Sequence, residues 1–187
     1  MIWPFSRPSP HAATIHAIYG MIVAQARLPV FYRRMAVPDT VNGRFDMVVL
    51  HLWLVLRRLG EGGQQELAQG LFDHFCADMD ANLREMGVGD LAVPRRMRGF
   101  GEAFYGRAAA YDAALADPAP LALAGALARN ILALEPAQQA VAPIPARALA
   151  DYARAALAML GGLDGEAVMA AQWRFPEPVP PSRALES

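Results

Sequence analysis

Apolar side chains recur at spacings of three and four along most of the chain, and proline or glycine interrupts the pattern roughly every 15 to 25 residues. That periodicity predicts helices throughout and no strand. A first helix is expected from Ser9-Pro10, a cap followed by proline at the first helical position, with Ile15, Ile18, Tyr19, Ile22, Val23 and Ala26 on one face. Pro29 ends it and opens one further turn over 30–35. The stretch 37–43 is turn chemistry, and Asn42 or Thr40 can cap the helix that follows to residue 59, where Gly60 stops it.

The 42–59 segment is apolar almost all round, which predicts the central, most buried element. Its polar exceptions Arg44, His51 and Arg58 recur every seven residues, so they share one stripe, expected to be the edge that meets water or a polar partner. A third helix over 64–86 turns Leu67, Leu71, Phe75, Met79, Leu83 and Met86 inward and Asp73, Asp78 and Asp80 outward, with Gly87 as its cap. Pro94 opens a fourth helix to about residue 116, with Met97, Phe100, Phe104, Ala108, Tyr111 and Leu115 inward. Beyond Asp117, five prolines cut an Ala- and Leu-rich stretch into short helices near 121–134 and 146–160. The expectation is an all-α fold: one helical domain over 10–173, six or seven helices around a central apolar one. A tail over 1–9 precedes it, and a Pro-rich arm or tail over 174–187 follows.

Composition narrows the chemistry. The 187 residues carry a formal net charge of -1, and all 17 basic residues are arginine. Without lysine there is neither a P-loop nor a Schiff-base nucleophile. Ser6, Ser9, Ser182 and Ser187 all lie in the terminal segments, which removes a Ser-His-Asp site from the folded body. The single cysteine, Cys76, excludes an intrachain disulfide and fits a reducing compartment. Near-neutral charge argues against a general nucleic-acid binder, DNA included. The most apolar run, 47–56, is half the roughly 20 residues a spanning helix needs and contains His51. With no secretory signal at the start, a soluble cytoplasmic protein is expected.

His74, Cys76, Asp78 and Asp80 resemble a ligand set, but helical spacing sends His74 and Cys76 to different faces, so no metal is expected. Cys76 fits a buried structural thiol better than a nucleophile. The Glu-x-x-His pairs of di-iron bundles are absent, and Gly99-Phe100-Gly101 lacks the third glycine of a dinucleotide fingerprint, so no cofactor is expected either. An active site would have to be assembled in a deep pocket by Arg44, Asp46 and His51. The stronger candidate is a partner-binding edge of Arg95, Arg96, Arg98 and Arg107, with Phe104 and Tyr105 among them, since arginine and tyrosine suit interfaces. An RNA- or ribosome-binding adaptor using the same arginines is the alternative.

Three blocks then carry a family resemblance. Tyr32, Pro38, Asp39, Thr40, Gly43, Arg44, Phe45 and Asp46 form the first. Asp73, Asp78, Met79, Asp80, Leu83, Arg84, Glu85, Met86, Gly87 and Gly89 form the second, and Arg96, Met97, Phe104, Tyr105, Gly106, Arg107 and Tyr111 the third. Together they resemble the ubiquinol-cytochrome c chaperone family over about residues 30–115, and only loosely beyond Leu115. The resemblance implies an all-helical, non-enzymatic assembly factor of respiratory complex III that holds newly made cytochrome b, of the bacterial type. It further implies the ribosome or a second assembly subunit as other partners, and peripheral association with the inner face of the cytoplasmic membrane. Such a chaperone needs an apolar groove with a charged rim, and nine methionines suit an adaptable one.

Overall fold

Thr40 sets the start of the longest buried element: its hydroxyl accepts from the Gly43 N–H at 3.1 Å, and the helix then runs without interruption over Val41–Glu61. In this computed structural model, which describes residues 11–136 and 142–181, helices α1 (Ala12–Ala26) and α2 (Pro29–Arg34) precede that helix, α3. After it come α4 (Gln65–Glu85), α5 (Val93–Ala116), α6 (Ala122–Asn130), α7 (Ile144–Gly161) and α8 (Gly165–Ala170). No strand occurs among the described residues. The fold is a single all-α domain, as the periodicity predicts, and the described residues hold six helices of nine residues or more and two short helices of six. The expected tail over 1–9, the Ser9-Pro10 helix start and the last residues of the Pro-rich segment lie outside the described residues.

α3 occupies the centre because nearly every face of it is apolar. Met47, Val49, Leu50, Leu52 and Leu54 are fully buried, and α1, α4, α5 and α7 all pack on it. Those helices pack in the order α1, α4, α5, α6, α7 around α3, and the Gln25–Tyr152 hydrogen bond links α7 back to α1. Polar links reinforce the ring. The Trp53 indole N–H donates to Asp112 Oδ1 at 3.1 Å, and Arg57 pairs with the same carboxylate at 2.6 Å, joining α3 to α5. At the same end of α3, Arg58 donates to the carbonyls of Leu160 and Leu163 and so fastens α3 to the end of α7.

Three details depart from the sequence reading. Met86, expected inward, is 63% exposed, because α4 ends at Glu85 and Gly87 takes a positive φ of 79° there. Asp78, expected on the outer surface, accepts from the Tyr19 hydroxyl at 2.7 Å and ties α4 to α1. Helix α8 has no counterpart in the prediction, although Asp164 caps it by accepting from the Ala167 N–H at 2.7 Å. Past α8 the chain is extended, and its first part lies against the core: Trp173 and Phe175 are buried, and the Gln25 amide donates to the Pro176 carbonyl at 3.1 Å.

Gly43 shows how tightly α3 is entered, since a Cβ on it would stand 2.0 Å from the Pro38 carbonyl oxygen. Gly43→Ala therefore has to displace the Pro38 turn, at a cost of about 1–3 kcal/mol. Urea unfolding measures it; an unchanged midpoint would show that the turn gives way freely.

Candidate functional site

The outer face of α5 assembles most of the expected partner edge. Arg95, Arg98 and Glu102 follow one another at spacings of three and four and are exposed, as is Arg96. Asp80 and Asp90 do not neutralise these arginines. Arg84 on α4 holds Asp80 at 2.6 Å and also pairs with Asp90, so both acids are engaged within the α4–α5 hairpin. Arg95, Arg96 and Arg98 make no side-chain ion pair or hydrogen bond among the described residues, which leaves a local positive field. Apolar groups stand beside them: Leu91 is 99% exposed, Met86 projects from the end of α4, and Tyr105 is 62% exposed with its ring 5.5 Å from Phe72.

Two residues expected on this edge are not on it. Phe104 is buried in the core against Phe72 and Phe75, since its helical phase is that of Met97 and Tyr111. Arg107 turns inward to α3. Its Nη2 lies 2.7 Å from Asp46 Oδ1, with side-chain exposures of 24% and 9%, and its guanidinium covers the Phe45 ring with Cζ 5.9 Å from the centroid. The geometry makes an ion pair off the line of a hydrogen bond, so Asp46 Oδ1 and Arg107 Nε are left without hydrogen-bond partners, as is the buried Tyr111 hydroxyl. Burial raises the Asp46 pKa to about 6, and Arg107 opposes that rise.

The Arg44, His51, Arg58 stripe is not a water-facing edge either. Arg44 is exposed and pairs with Asp39 at 2.8 Å, Arg58 is fixed on carbonyls, and His51 is fully buried. A spacing of seven places residues on one side of a helix without saying what covers that side; here α7, Phe31 and Phe175 cover His51. Its Nδ1 faces the Met47 carbonyl at 2.7 Å, which can only accept, so Nδ1 carries the proton. Burial lowers the ring pKa to about 4, so the neutral ring accepts at Nε2 from the Tyr152 hydroxyl, 2.7 Å away. Gln25 donates in turn to the Tyr152 oxygen at 3.0 Å. Arg44, Asp46 and His51 thus each have separate partners and do not converge in a pocket.

Among the described residues no group of three or more His, Cys, Asp or Glu side chains is placed to hold a metal ion. His74 instead stacks edge-on against Tyr19 at 4.9 Å, and burial raises the pKa of the half-buried Cys76 thiol, away from thiolate. Between α5 and α6 lies an open groove of about 570 Å³, lined mainly by alanines, among them Ala110, Ala114 and Ala126, with Asp117 and Arg129 at its edge. Methionine does not line it; Met35 and Met47 are in the core. No described helix is long and apolar enough to cross a membrane.

The residues thus define an all-helical domain whose interior polar groups serve its own packing and whose α4–α5 hairpin carries a basic, partly apolar edge. Residues 33–175 match the family described as ubiquinol-cytochrome C chaperone, and the chain belongs to that family, one of assembly chaperones for ubiquinol-cytochrome c reductase. The match takes in α6 to α8, well past the Leu115 limit of the resemblance seen in sequence. The chain is 27% identical over 151 residues to ubiquinol-cytochrome-c reductase complex assembly factor 1 of Xenopus laevis, covering 80% of this chain and 73% of that one. Its counterpart from Mus musculus is 25% identical over the same length, and this chain spans 50% of it. The crystal structure of the Cbp3 homolog from Brucella abortus superposes with a TM-score of 0.76 at 38% identity, over 89% of this chain and 91% of that one.

Proposed function

We propose that this protein binds newly made cytochrome b while ubiquinol-cytochrome c reductase is assembled, without catalysing a reaction, and that the α4–α5 hairpin is where the client docks. The observation that carries this reading is the juxtaposition of unpaired Arg95, Arg96 and Arg98 with exposed Met86, Leu91 and Tyr105 on one hairpin. Apolar contact holds a membrane-protein segment before insertion, and guanidinium groups select its polar loops by pairing with carboxylates. The proposal places the chaperone at the inner face of the cytoplasmic membrane, where such a client is inserted.

Arg95→Glu/Arg98→Glu tests it. Exposed positions of this kind change stability by only about ±0.5 kcal/mol, so the fold should persist, as a thermal melt checks. Client affinity should fall by about 2 kcal/mol or more, roughly thirtyfold, in a pull-down of cytochrome b. A strain lacking the gene should lose assembled reductase, and the double variant should fail to restore it. Equal recovery of cytochrome b by wild type and variant would move the docking site off this hairpin, and normal reductase in the deletion strain would remove the function itself.

A further inference from the structure

A cleft of about 290 Å³ opens where the end of α1, helix α2 and the start of α3 meet, lined by Arg27, Pro29, Tyr32, Arg33, Asp39 and Arg44. Three of its six lining side chains are guanidinium groups and one is a carboxylate, so it is locally cationic on a chain of net charge -1. Asp39 does not cancel that charge. Its Oδ1 takes the Arg44 Nε at 2.8 Å, which fixes the Arg44 guanidinium while leaving its two terminal amines without a partner among the described residues. Arg27 and Arg33 have no side-chain ion pair or hydrogen bond there either. The floor is rigid: Tyr32 is half-buried and donates its hydroxyl to the Ala26 carbonyl at 2.7 Å, which spans the α1–α2 corner.

We infer that this cleft binds a phosphate-type anion, either free or carried as a headgroup by an anionic phospholipid. Three guanidinium groups offer more donors than a carboxylate, with two oxygens, can accept, whereas a phosphate presents three or four oxygens in the geometry that arginine matches in pairs. At the cleft wall burial raises the Tyr32 pKa, with the Arg44 and Arg27 charges opposing that rise and the Asp39 carboxylate adding to it. Val41, 76% exposed and three residues before Arg44, sets an apolar side chain near the rim, as contact with a lipid surface would use.

The test uses the full chain, with Arg27→Gln/Arg33→Gln as the variant and Arg95→Gln/Arg98→Gln as a control of equal charge change. Inorganic phosphate, titrated at constant ionic strength against chloride and acetate, should raise the melting temperature of wild type and control. In the cleft variant the affinity should fall by about tenfold or more. Phosphatidylcholine vesicles containing phosphatidylglycerol identify the source. If they sediment wild type and control but release the cleft variant, by about thirtyfold in partition, the ligand is a headgroup. Phosphate stabilisation without vesicle binding assigns a soluble phosphate or phosphate ester. Indistinguishable behaviour of wild type and cleft variant in both assays overturns the site, and so does an equal loss in the control or an equal shift by acetate. The cleft variant leaves the hairpin intact, so its cytochrome b recovery reports on that site separately.

Discussion

Arg107→Met should lower the stability of the folded domain by about 3 kcal/mol at a pH of about 7.5, and by about 2 kcal/mol less near pH 5. At the higher pH the substitution leaves the Asp46 carboxyl almost fully buried without its cation, so it either carries an unpaired charge or holds its proton against the solvent. The direction follows from the carboxyl itself. Its folded pKa of about 6 lies above its ordinary value, so its contribution to stability is fully present below about pH 4 and is lost as pH rises through 6. Arg107 limits that loss by lowering the pKa, and removing it drives the pKa higher still. Near pH 5 Asp46 is protonated in the folded state of both proteins, and only the packing of the guanidinium over Phe45 is missing. Urea unfolding at the two pH values measures the difference. An equal loss at both would show that the carboxylate is not its source.

His51→Leu should cost about 2–3 kcal/mol at neutral pH, and that cost should vanish as the pH approaches 4. Replacing the ring removes an acceptor from the Tyr152 hydroxyl and contacts with Phe31 and Phe175 in a dry site. The acid behaviour has the opposite sign to that of Asp46. His51 has a folded pKa of about 4, below its ordinary value, so its contribution is present above about pH 6.5 and is lost as pH falls through 4. Each group carries about 3 kcal/mol across its interval, and the intervals overlap, so in the wild type the two slopes nearly cancel between pH 4 and 6. The leucine variant lacks the histidine slope and should gain stability on acidification from Asp46. A tryptophan-fluorescence unfolding series over that range reads it directly, and a variant that tracks the wild type in parallel would show that His51 does not titrate as its burial requires.

The central helix was legible because Val41–Glu61 has no polar face wide enough for a surface position, and that physical statement survives any rearrangement of its neighbours. What covers each side of it was not legible. The partner of His51 is Tyr152, 101 positions later, and no local pattern announces a contact of that range. Arg107 shows the same limit: residue type placed it with the surface arginines, while the informative sign was Asp46, a carboxylate on an apolar helix that needed a cation from elsewhere. Arg95, Arg96 and Arg98 were placed correctly because exposure on an amphipathic helix depends only on its own phase. Helix α8 could have been found from Asp164, whose carboxylate caps the turn at Ala167, but six residues carry too little periodicity to stand out.

The burial of Phe175 over His51 has a consequence for how the chain is made. Gln25 reaches Pro176 across 151 positions, and the Thr14 hydroxyl donates to the Met169 carbonyl across 155, so the first helix completes its contacts only with segments translated long after it. While the 169–176 region is still inside the ribosomal exit tunnel, α1 can pack on α3 and α4, but the His51 side of α3 lacks its Phe175 cover. Native closure therefore waits for the 169–176 region to emerge, and until then the nascent chain keeps part of that apolar face open.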